Sequence, residues 1–533
     1  MPTSPLARGA VTLLFVGMLA AVWRFDRQAQ GSSSAPATGR TLGFALRDVA
    51  REVGVDFRHT PTTLDPKIAN IAPHVSAMGA AVAVVDFDGD GWSDLYATTS
   101  RFGQPNGLFR NRGDGSFENV AERAGLARMN VEGEGVSMGS VWADYDNDGH
   151  LDCLLYKWGQ QQLLRNRGDG TFEDVTARTG TNSTRWTLAV AAADMDGDGW
   201  PDLYLANDYG AEELFRNVEG QRFERLADIG LAESSKSGMS VTLGDFENRG
   251  ALGVFVTNIS KERFLFQGNN LRQNRLAKGG GLVNVTEDTS SRRAREVVDC
   301  GWAWGAQFGD LDNDGLLDLF VTNGFVSASR ERDYWYGMSK VAGGVGGVFE
   351  DATKWEPMED RSLSGYERSR VLLGCGDCKF EDVAVAAGVN DLEDGRAVAF
   401  ADLFRRGVLD VVVANQNGPL MIYKNEVDPA RNWIQFELRA SVSNRSAIGA
   451  EVTLHAGGRM QKQVVLAGNG FCAQNEFVLH FGLGDTDKLE KLDVRWPSGR
   501  VQTLRPTGSN IAEGETLADL AIRRRHTLEE PRP

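Results

Sequence analysis

Four short segments of the chain carry aspartates at one common spacing, and that spacing suits a bound metal ion. Each segment fits D-x-D-x-D-G-x-x-D in full. Ca²⁺ takes about six to eight oxygen ligands, and aspartates at positions one, three and five of a tight turn place three carboxylates on one side of it. The glycine at position six permits the sharp reversal of the backbone. We therefore predict about four Ca²⁺ ions, held by Asp86, Asp88, Asp90, Asp94, Asp144, Asp146, Asp148, Asp152, Asp194, Asp196, Asp198, Asp202, Asp310, Asp312, Asp314 and Asp318.

Two further turns keep the first aspartate and the glycine but lose the set of carboxylates. One runs from Asp245 to Gly253 and has Arg249 at position five, and the other runs from Asp402 to Asp410 and has Arg406 there. An Asp-Gly turn between strands needs no metal, so these copies represent what turn chemistry alone produces. Our hypothesis is that the arginine supplies the positive charge locally in both.

Each acidic turn follows a run of small and β-branched residues, which indicates a strand on either side of the turn. The turns have neither the position-twelve glutamate nor the flanking helices of an EF-hand. A second element with a tight glycine turn trails most copies and ends in an F-E-x-V-like sequence. A unit of about 40–50 residues with four short strands is typical of a propeller blade. The trailing elements are LFRNRGDGSFENVAERAGL (108–126), LLRNRGDGTFEDVTARTGT (163–181) and LFRNVEGQRFERLADIGL (214–231).

The two ends of the repeat region predict how the ring is joined. The last unit stops at Asn425 without its trailing element, while an orphan element, FALRDV (44–49), precedes the first unit. We expect this N-terminal strand to complete the last blade, which would also remove exposed sheet edges. Because the stretch from Asp310 to Asp402 contains two trailing elements, at 349–351 and 380–382, seven blades are preferred and six are possible.

The predicted fold is all-β: a β-propeller with calcium-binding inter-strand loops over residues 41–428, followed by a small all-β sandwich-like domain over 429–520. In that second domain, apolar residues alternate with polar ones around Phe436 and around Val494, as expected of half-buried strands. Residues 521–533 are predicted to be a charged, frayed tail.

The N-terminus and the charge indicate where the protein works. An apolar run from Gly9 to Trp23 suits a signal peptide within residues 1–30, with a retained membrane anchor as the alternative, and 31–40 is a flexible linker. We expect an exported protein, periplasmic, at the cell surface or extracellular, whose only membrane contact is through this segment. The formal net charge of −16 argues against binding to nucleic acid.

The repeats resemble FG-GAP/VCBS repeats, the calcium-loop blades also seen in integrin α-subunit heads. The C-terminal part resembles the ASPIC/UnbV domain through SNRSAIGA (443–450), GNGFCAQN (468–475), LHFGLG (479–484) and RWPSG (495–499). Together they are similar to the cartilage acidic protein family in its bacterial form. The resemblance implies an exported protein of binding or cell-adhesion type. Phe471-Cys472-Ala473 departs from the Tyr-Leu-Ser-like triplet expected there.

Several smaller motifs have ordinary structural interpretations. The two R-G-D tripeptides, at 112–114 and 167–169, are expected to be hairpin turns. Cys153 is expected to be a small core residue, and Cys375 and Cys378 to form a local disulfide. Tryptophans near the turns are expected to pack the blades: Trp92, Trp142, Trp200, Trp302 and Trp304.

Two functions from different classes remain open at this point. The first is a calcium-stabilised binding or adhesion module for an extracellular or periplasmic protein or glycan. The alternative is a propeller-based enzyme acting on a carbohydrate or natural product, with residues 321–395 as a lid. No H-E-x-x-H, G-x-S-x-G or phosphate-loop motif is present, so an enzyme is the less favoured interpretation.

Overall fold

Every acidic turn joins the first two strands of a four-stranded antiparallel sheet in the computed structural model. The first strand ends at the residue before the first aspartate, and the second begins at position nine of the turn. Strand Val82–Val85, for example, ends beside Asp86, and the next begins at Asp94. The strands that end before Asp86, Asp144, Asp310 and Asp402 are buried along their whole length. Both of their faces are covered, and this explains their continuous runs of small apolar residues.

The structure describes residues 42–196, 198–207, 213–226, 239–261, 265–266, 268–276, 282–286, 296–342, 351–506 and 520–532. The predicted signal peptide or anchor (1–30) and the linker (31–40) lie outside these ranges.

The described residues form six antiparallel sets of four strands of this kind, which we call blades 1 to 6, and the sheet of blade 1 has a fifth strand, Ala473–Gln474. Blade 1 contains Val82–Val85, Asp94–Ala97, Gly107–Asn111 and Phe117–Asn119; blade 2, Gly135–Ala143, Asp152–Gly159, Gln162–Asn166 and Phe172–Asp174; blade 3, Thr187–Ala193, Asp202–Asn207, Glu213–Val218 and Arg222–Leu226; blade 4, Val241–Gly244, Gly253–Val256, Asn270–Asn274 and Leu282–Asn284; blade 5, Ala303–Gly309, Asp318–Asn323, Arg370–Gly374 and Phe380–Asp382; and blade 6, Asp394–Ala401, Asp410–Gln416, Leu420–Val427 and Phe44–Asp48. A separate two-stranded ribbon, Ser260–Lys261 with Leu265–Phe266, lies in the connection between the second and third strands of blade 4.

The N-terminal strand completes the last blade, as the sequence predicted. Phe44–Asp48 lies antiparallel to the third strand of blade 6, with Phe44 opposite Val427 and Asp48 opposite Tyr423. The preference for seven blades is not met within the described residues. Between Asp310 and the first strand of blade 6, the described residues contribute strands to blade 5 alone. The trailing element at 380–382 is the fourth strand of that blade, and residue 351 of the other lies in an insertion.

That insertion, residues 324–369, joins the second and third strands of blade 5. The range 321–395 suggested as a lid is therefore too wide, since it also contains two strands of blade 5. The helices are short: Ala72–Val75, Ala121–Ala124, Thr176–Thr179, Trp335–Ala342 and Ala384–Ala387, with 3₁₀ turns at Pro66–Ile68 and Ala352–Lys354. Within the described ranges we find no helix that is both long and apolar enough to span a membrane.

The C-terminal domain consists of two sheets. One contains Leu479–Gly484, Asn432–Arg439 and Arg525–Glu529, and the other contains Arg459–Val464, Glu451–Ala456, Leu489–Arg495 and Val501–Leu504. The prediction of a frayed tail at 521–533 is wrong. Arg525–Glu529 is a strand that pairs in parallel with Gln435–Arg439, and Leu528 is buried in the core.

Candidate metal centres and the domain interface

All six turns share one backbone shape. The glycine at position six has a positive φ in each, for example 85° at Gly91 and Gly315, a conformation that favours glycine. Its N–H donates to the first aspartate, at 2.8 Å for Gly91 to Asp86 Oδ2 and for Gly315 to Asp310 Oδ2. Position four is left-handed as well in the five turns where it is described, with φ at 58° for Asn313. The first aspartate thus holds its own turn closed.

Four of the turns bring aspartate oxygens together closely enough to hold a metal ion. In each, one oxygen from each of three aspartates lies within 4.8 Å of the others. Blades 2, 3 and 5 use positions one, three and nine, whereas blade 1 uses positions one, three and five. Of the predicted ligands, Asp94, Asp148, Asp198 and Asp314 lie outside these groups of three. The groups are Asp86, Asp88 and Asp90; Asp144, Asp146 and Asp152; Asp194, Asp196 and Asp202; and Asp310, Asp312 and Asp318.

Burial makes these carboxylates costly to ionise without a cation. Burial raises the pKa of Asp86 to about 6 and that of Asp144 to about 7. In blade 5, burial and then the neighbouring carboxylates raise the pKa of Asp310 and of Asp318 well above the usual range. Asp86 Oδ1 is buried and has no hydrogen-bond partner among the described residues. An all-oxygen donor set with an unsatisfied buried acceptor fits a hard divalent cation such as Ca²⁺.

An arginine on the third strand lies beside three of the four acidic groups. Arg110 contacts Asp88 and Asp90, Arg165 contacts Asp146 and Asp148 at 2.6 Å, and Arg216 lies 3.2 Å from Asp196. From the strand register, the equivalent residue in blade 5 is Leu373. The most deeply buried acidic group is therefore the one that lacks this arginine.

In both degenerate turns, the arginine at position five forms an ion pair with a carboxylate of the same turn. The hypothesis that this arginine supplies the positive charge locally is confirmed. Arg406 Nη2 lies 2.7 Å from Asp410 Oδ1 in blade 6, and Arg249 Nη1 lies 3.2 Å from Glu247 Oε1 in blade 4. An ion pair within the turn replaces the cluster of carboxylates.

Side chains at position four join four of the six turns to the next turn around the ring. Asn147 donates to the carbonyl of Gly199 at 3.2 Å, Asn248 to that of Gly315 at 2.7 Å and Asn313 to that of Gly407 at 2.9 Å. Arg405 donates to the carbonyl of Gly91, so blade 6 is joined to blade 1. These links were not predicted, although asparagine recurs at position four in three of the turns.

The C-terminal domain lies on the end of the propeller that bears the acidic turns, which we call the loop face. Gln435 Nε2 donates to Asp402 Oδ2 at 3.1 Å, and the backbone N–H of Arg445 donates to Asn147 Oδ1 at 3.0 Å. Gly482 packs so closely on the blade 5 turn that a Cβ there would lie 2.0 Å from Asp310 Oδ2. Residues of the C-terminal motifs thus form the domain interface, which no sequence pattern indicated.

A loop of the C-terminal domain, residues 467–476, enters the axis of the propeller. Ala473 and Gln474 pair in parallel with Val82 and Ala83 of blade 1. The loop also contacts blade 3, where the N–H of Ala192 donates to the carbonyl of Ala467 at 3.1 Å. The triplet Phe471-Cys472-Ala473, which departs from the pattern expected for the ASPIC/UnbV domain, lies in this loop. Cys472 Sγ donates to the carbonyl of Leu188 at 3.1 Å.

Glu476, at the end of this loop, joins blades 1 and 6. Its carboxylate accepts hydrogen bonds from Ser93 Oγ at 2.9 Å and from the N–H of Asp402 at 2.6 Å. Both partners lie in acidic turns of the loop face. The loop at 467–476 therefore contacts the propeller both along its axis and at the loop face.

The smaller motifs have structural roles. Both R-G-D segments are turns between the third and fourth strands of their blades, and Cys153, Trp142, Trp302 and Trp304 are buried; these predictions are confirmed. Trp92 and Trp200 are only partly buried. The predicted disulfide is wrong, because no bond joins Cys375 to Cys378, and Gln273 Nε2 instead donates to Cys378 Sγ at 3.1 Å.

At the end opposite the loop face, the central charged group is Arg396, which is fully buried. Its guanidinium donates to the carbonyls of Ala77, Gly324 and Phe325 at 2.9–3.0 Å and stacks 4.1 Å from the ring centroid of Trp304. These hydrogen bonds join the insertion at 324–369 to blade 6. Arg396 therefore stabilises the packing at the end of the propeller opposite the loop face.

Comparisons with known proteins agree with this architecture. Residues 86–155, 144–205 and 194–256 match the FG-GAP-like repeat, and residues 440–532 match the family described as ASPIC and UnbV. The chain is thus a protein of FG-GAP-like repeats with a C-terminal ASPIC/UnbV domain, and the resemblance predicted from its motifs is confirmed.

The chain is homologous to cartilage acidic protein 1, which has the same domain architecture. It is 24% identical to the Homo sapiens protein over 485 residues, 87% of this chain and 57% of that protein. It is 23% identical to the Xenopus tropicalis protein over 461 residues, which are 83% of this chain and 54% of that protein. The chain therefore spans little more than half the length of these relatives.

Among solved structures, a lectin of Agrocybe aegerita, described for its recognition of non-reducing terminal N-acetylglucosamine, is similar over 66% of this chain and 80% of its own. The TM-score is 0.31 and the identity 16%, a likeness too distant to support any argument about function.

Proposed function

We propose that this protein is exported and that its propeller is stabilised by Ca²⁺ and serves to bind a protein or glycan outside the cytoplasm. The observation that carries the proposal is the set of four aspartate groups, each with three carboxylate oxygens within 4.8 Å of one another. The ions would be held by the sixteen aspartates predicted from the sequence. When bound, Ca²⁺ would supply the positive charge that these buried carboxylates need.

The distribution of the groups favours a structural role for the metal. Each turn is joined to the strands of its own blade, since the N–H of Asn111 donates to Asp94 Oδ1 at 2.7 Å and that of Asn166 to Asp152 Oδ1 at 2.8 Å. In blade 5 the aspartates are covered by the C-terminal domain. A ligand of the whole protein would then bind another surface, and the ions would hold that surface in shape.

Export is part of the same proposal. The N-terminal segment would direct it, and any membrane contact would pass through that segment alone. FG-GAP-like repeats, as matched here over residues 86–256, are typical of exported proteins. Fractionation of cells that produce the full chain tests this, and recovery of the protein in the cytoplasm alone would refute it.

Thermal unfolding of the full chain in Ca²⁺ and in chelator tests the role of the metal. Ligand binding to the folded state stabilises it by about 2.7 kcal/mol per site at a hundred times Kd, so the transition should rise by many degrees in Ca²⁺. Asp312→Asn should reduce the rise, whereas the exposed Asp56→Asn should not. An unchanged transition would refute calcium stabilisation.

A glycan and protein array, probed with and without chelator, tests the binding function. Retention on one class of ligand that depends on Ca²⁺ supports the proposal. Absence of retention on every class, in protein shown to be folded, would refute it.

A further inference from the structure

A cleft of about 900 Å³ lies between the acidic turns of blades 1 and 2 and the C-terminal domain. Asp86, Asp144 and His150 line its propeller side. The volume is within the range of about 300–1,000 Å³ that is usual for small-molecule sites. The cleft is therefore large enough for a ligand of about disaccharide size.

Arginines of the C-terminal domain line the other side of this cleft: Arg439, Arg445, Arg525 and Arg532. Arg439 has the closest carboxylate among them, since its Nη2 lies 2.8 Å from Glu437 Oε1. Arg525 Nη2 is buried and makes no hydrogen bond with the described residues, and its nearest carboxylate oxygen, on Glu476, is 3.6 Å away.

Arg445 and Arg532 add two guanidinium groups without a compensating charge. Within the described part of the chain, neither side chain has a hydrogen bond or an ion pair. The guanidinium of Arg445 lies over Gly149, with Nη1 3.0 Å from where a Cβ would be. In the turns across the cleft, Arg110 contacts Asp88 and Arg165 contacts Asp146, so part of the negative charge of those turns is already balanced.

Guanidinium groups bind carboxylate and sulfate through paired N–H donors, so the chemistry on this wall suits an oxyanion. The rest of the C-terminal wall is mixed, with Ser441 and Ser446 beside Val442 and Phe477. Hydroxyl groups interleaved with apolar side chains match a sugar ring, which has polar edges and an apolar face.

We propose that this cleft binds an acidic sugar, whose carboxylate or sulfate contacts Arg445, Arg525 and Arg532. The inference rests on the proposed binding function and names the ligand class and the site. It does not depend on the role of Ca²⁺ in stability, which the unfolding experiment decides separately.

Isothermal titration of the folded full chain in Ca²⁺ tests it, with digalacturonate and galactose 6-sulfate as acidic probes and galactobiose as the neutral one. We expect binding of one or both acidic probes and none of galactobiose, and the acidic probe that binds distinguishes carboxylate from sulfate. Arg445→Ala/Arg532→Ala should weaken binding at least tenfold, because two charge-assisted contacts are lost.

Arg101→Ala/Arg505→Ala is the matched control, since it removes the same charge from two exposed arginines that do not line the cleft. It should leave the affinity unchanged, and both double variants should melt as the parent does in Ca²⁺. Failure of both acidic probes to bind the folded parent, or equal binding by the parent and Arg445→Ala/Arg532→Ala, would overturn the proposal. Either result would leave calcium stabilisation untouched.

Discussion

His480 of the C-terminal domain donates from Nε2 to Asn313 Oδ1, at 2.7 Å, in the acidic turn of blade 5. The tautomer follows from the other nitrogen, because Nδ1 lies 3.1 Å from Gln435 Nε2, which can only donate. Gln435 also donates to Asp402. One neutral imidazole thus orients the contacts of the C-terminal domain with two neighbouring blades.

Acid should weaken the fold through His480. Burial, and then the charge of Arg525, lowers its pKa to about 3, whereas the unfolded side chain binds a proton near pH 6.5. The unfolded state therefore binds more protons, so stability falls as pH decreases from about 6.5 towards 3, by about 1.4 kcal/mol per pH unit. Urea unfolding in Ca²⁺ at several pH values should show a smaller slope for His480→Gln. The exposed His150→Gln should keep the parent's slope, and equal slopes for parent and His480→Gln would contradict the prediction.

Gly482→Ala should separate the C-terminal domain from blade 5. The new Cβ would lie 2.0 Å from Asp310 Oδ2 and 2.6 Å from Asn313 Cα, so one partner must move. Overpacking of this kind costs about 1–3 kcal/mol, which thermal unfolding would detect. The matched control is Gly43→Ala, because a Cβ at Gly43 has nothing within 4 Å. Equal stability of the two variants would show that the contact is not tight in solution.

Arg406→Met should destabilise blade 6 most at high pH. Asp410 is fully buried, and burial raises its pKa to about 8 even though Arg406 opposes the shift. A raised pKa in the folded state makes stability fall as pH increases, and loss of the arginine strengthens that trend. We expect a loss of about 3 kcal/mol at pH 8 and less at pH 5. In the double variant, Asp410→Asn should restore most of the stability lost through Arg406→Met. If the double variant is as unstable as Arg406→Met alone, Arg406 acts through packing alone.

Glu530→Ala should unfold the C-terminal end of the chain. The carboxylate accepts from the N–H groups of Ser441, Val442 and Ser443 at 2.8–3.0 Å, and Ser498 Oγ donates to it as well. Loss of a buried acceptor of this kind costs about 2–3 kcal/mol. The neighbouring Glu529→Ala is the control, because Glu529 is exposed. Protease sensitivity of residues 520–530 that rises equally in both variants would argue against the role of Glu530.

The repeats made the blades predictable, since each strand boundary is set by a turn residue such as Asp86 or Asp94 that the sequence marks directly. The blade count was harder, because the F-E-D at 349–351 resembles a blade's last strand, whereas Asp351, its one described residue, lies in an insertion. The contact of Asn313 with His480 follows no periodicity, because its partners are far apart in sequence and meet only through packing. The tail prediction failed because Arg523, Arg524 and Arg525 suggested a solvated end, while the buried Leu528 signals a strand only when its partner is known.

The loop at 467–476 has a consequence for the order in which the protein is made. The free edge of the first strand of blade 1 is paired by Ala473 and Gln474. The strand Phe44–Asp48 has no partner until the residues up to Val427 have been made. A chain emerging from its N-terminus therefore exposes an unpaired strand edge until almost all of it has been synthesised. Contacts this distant in sequence form slowly, so the propeller is completed late in synthesis or after it, and an unfinished chain is exposed to misassembly.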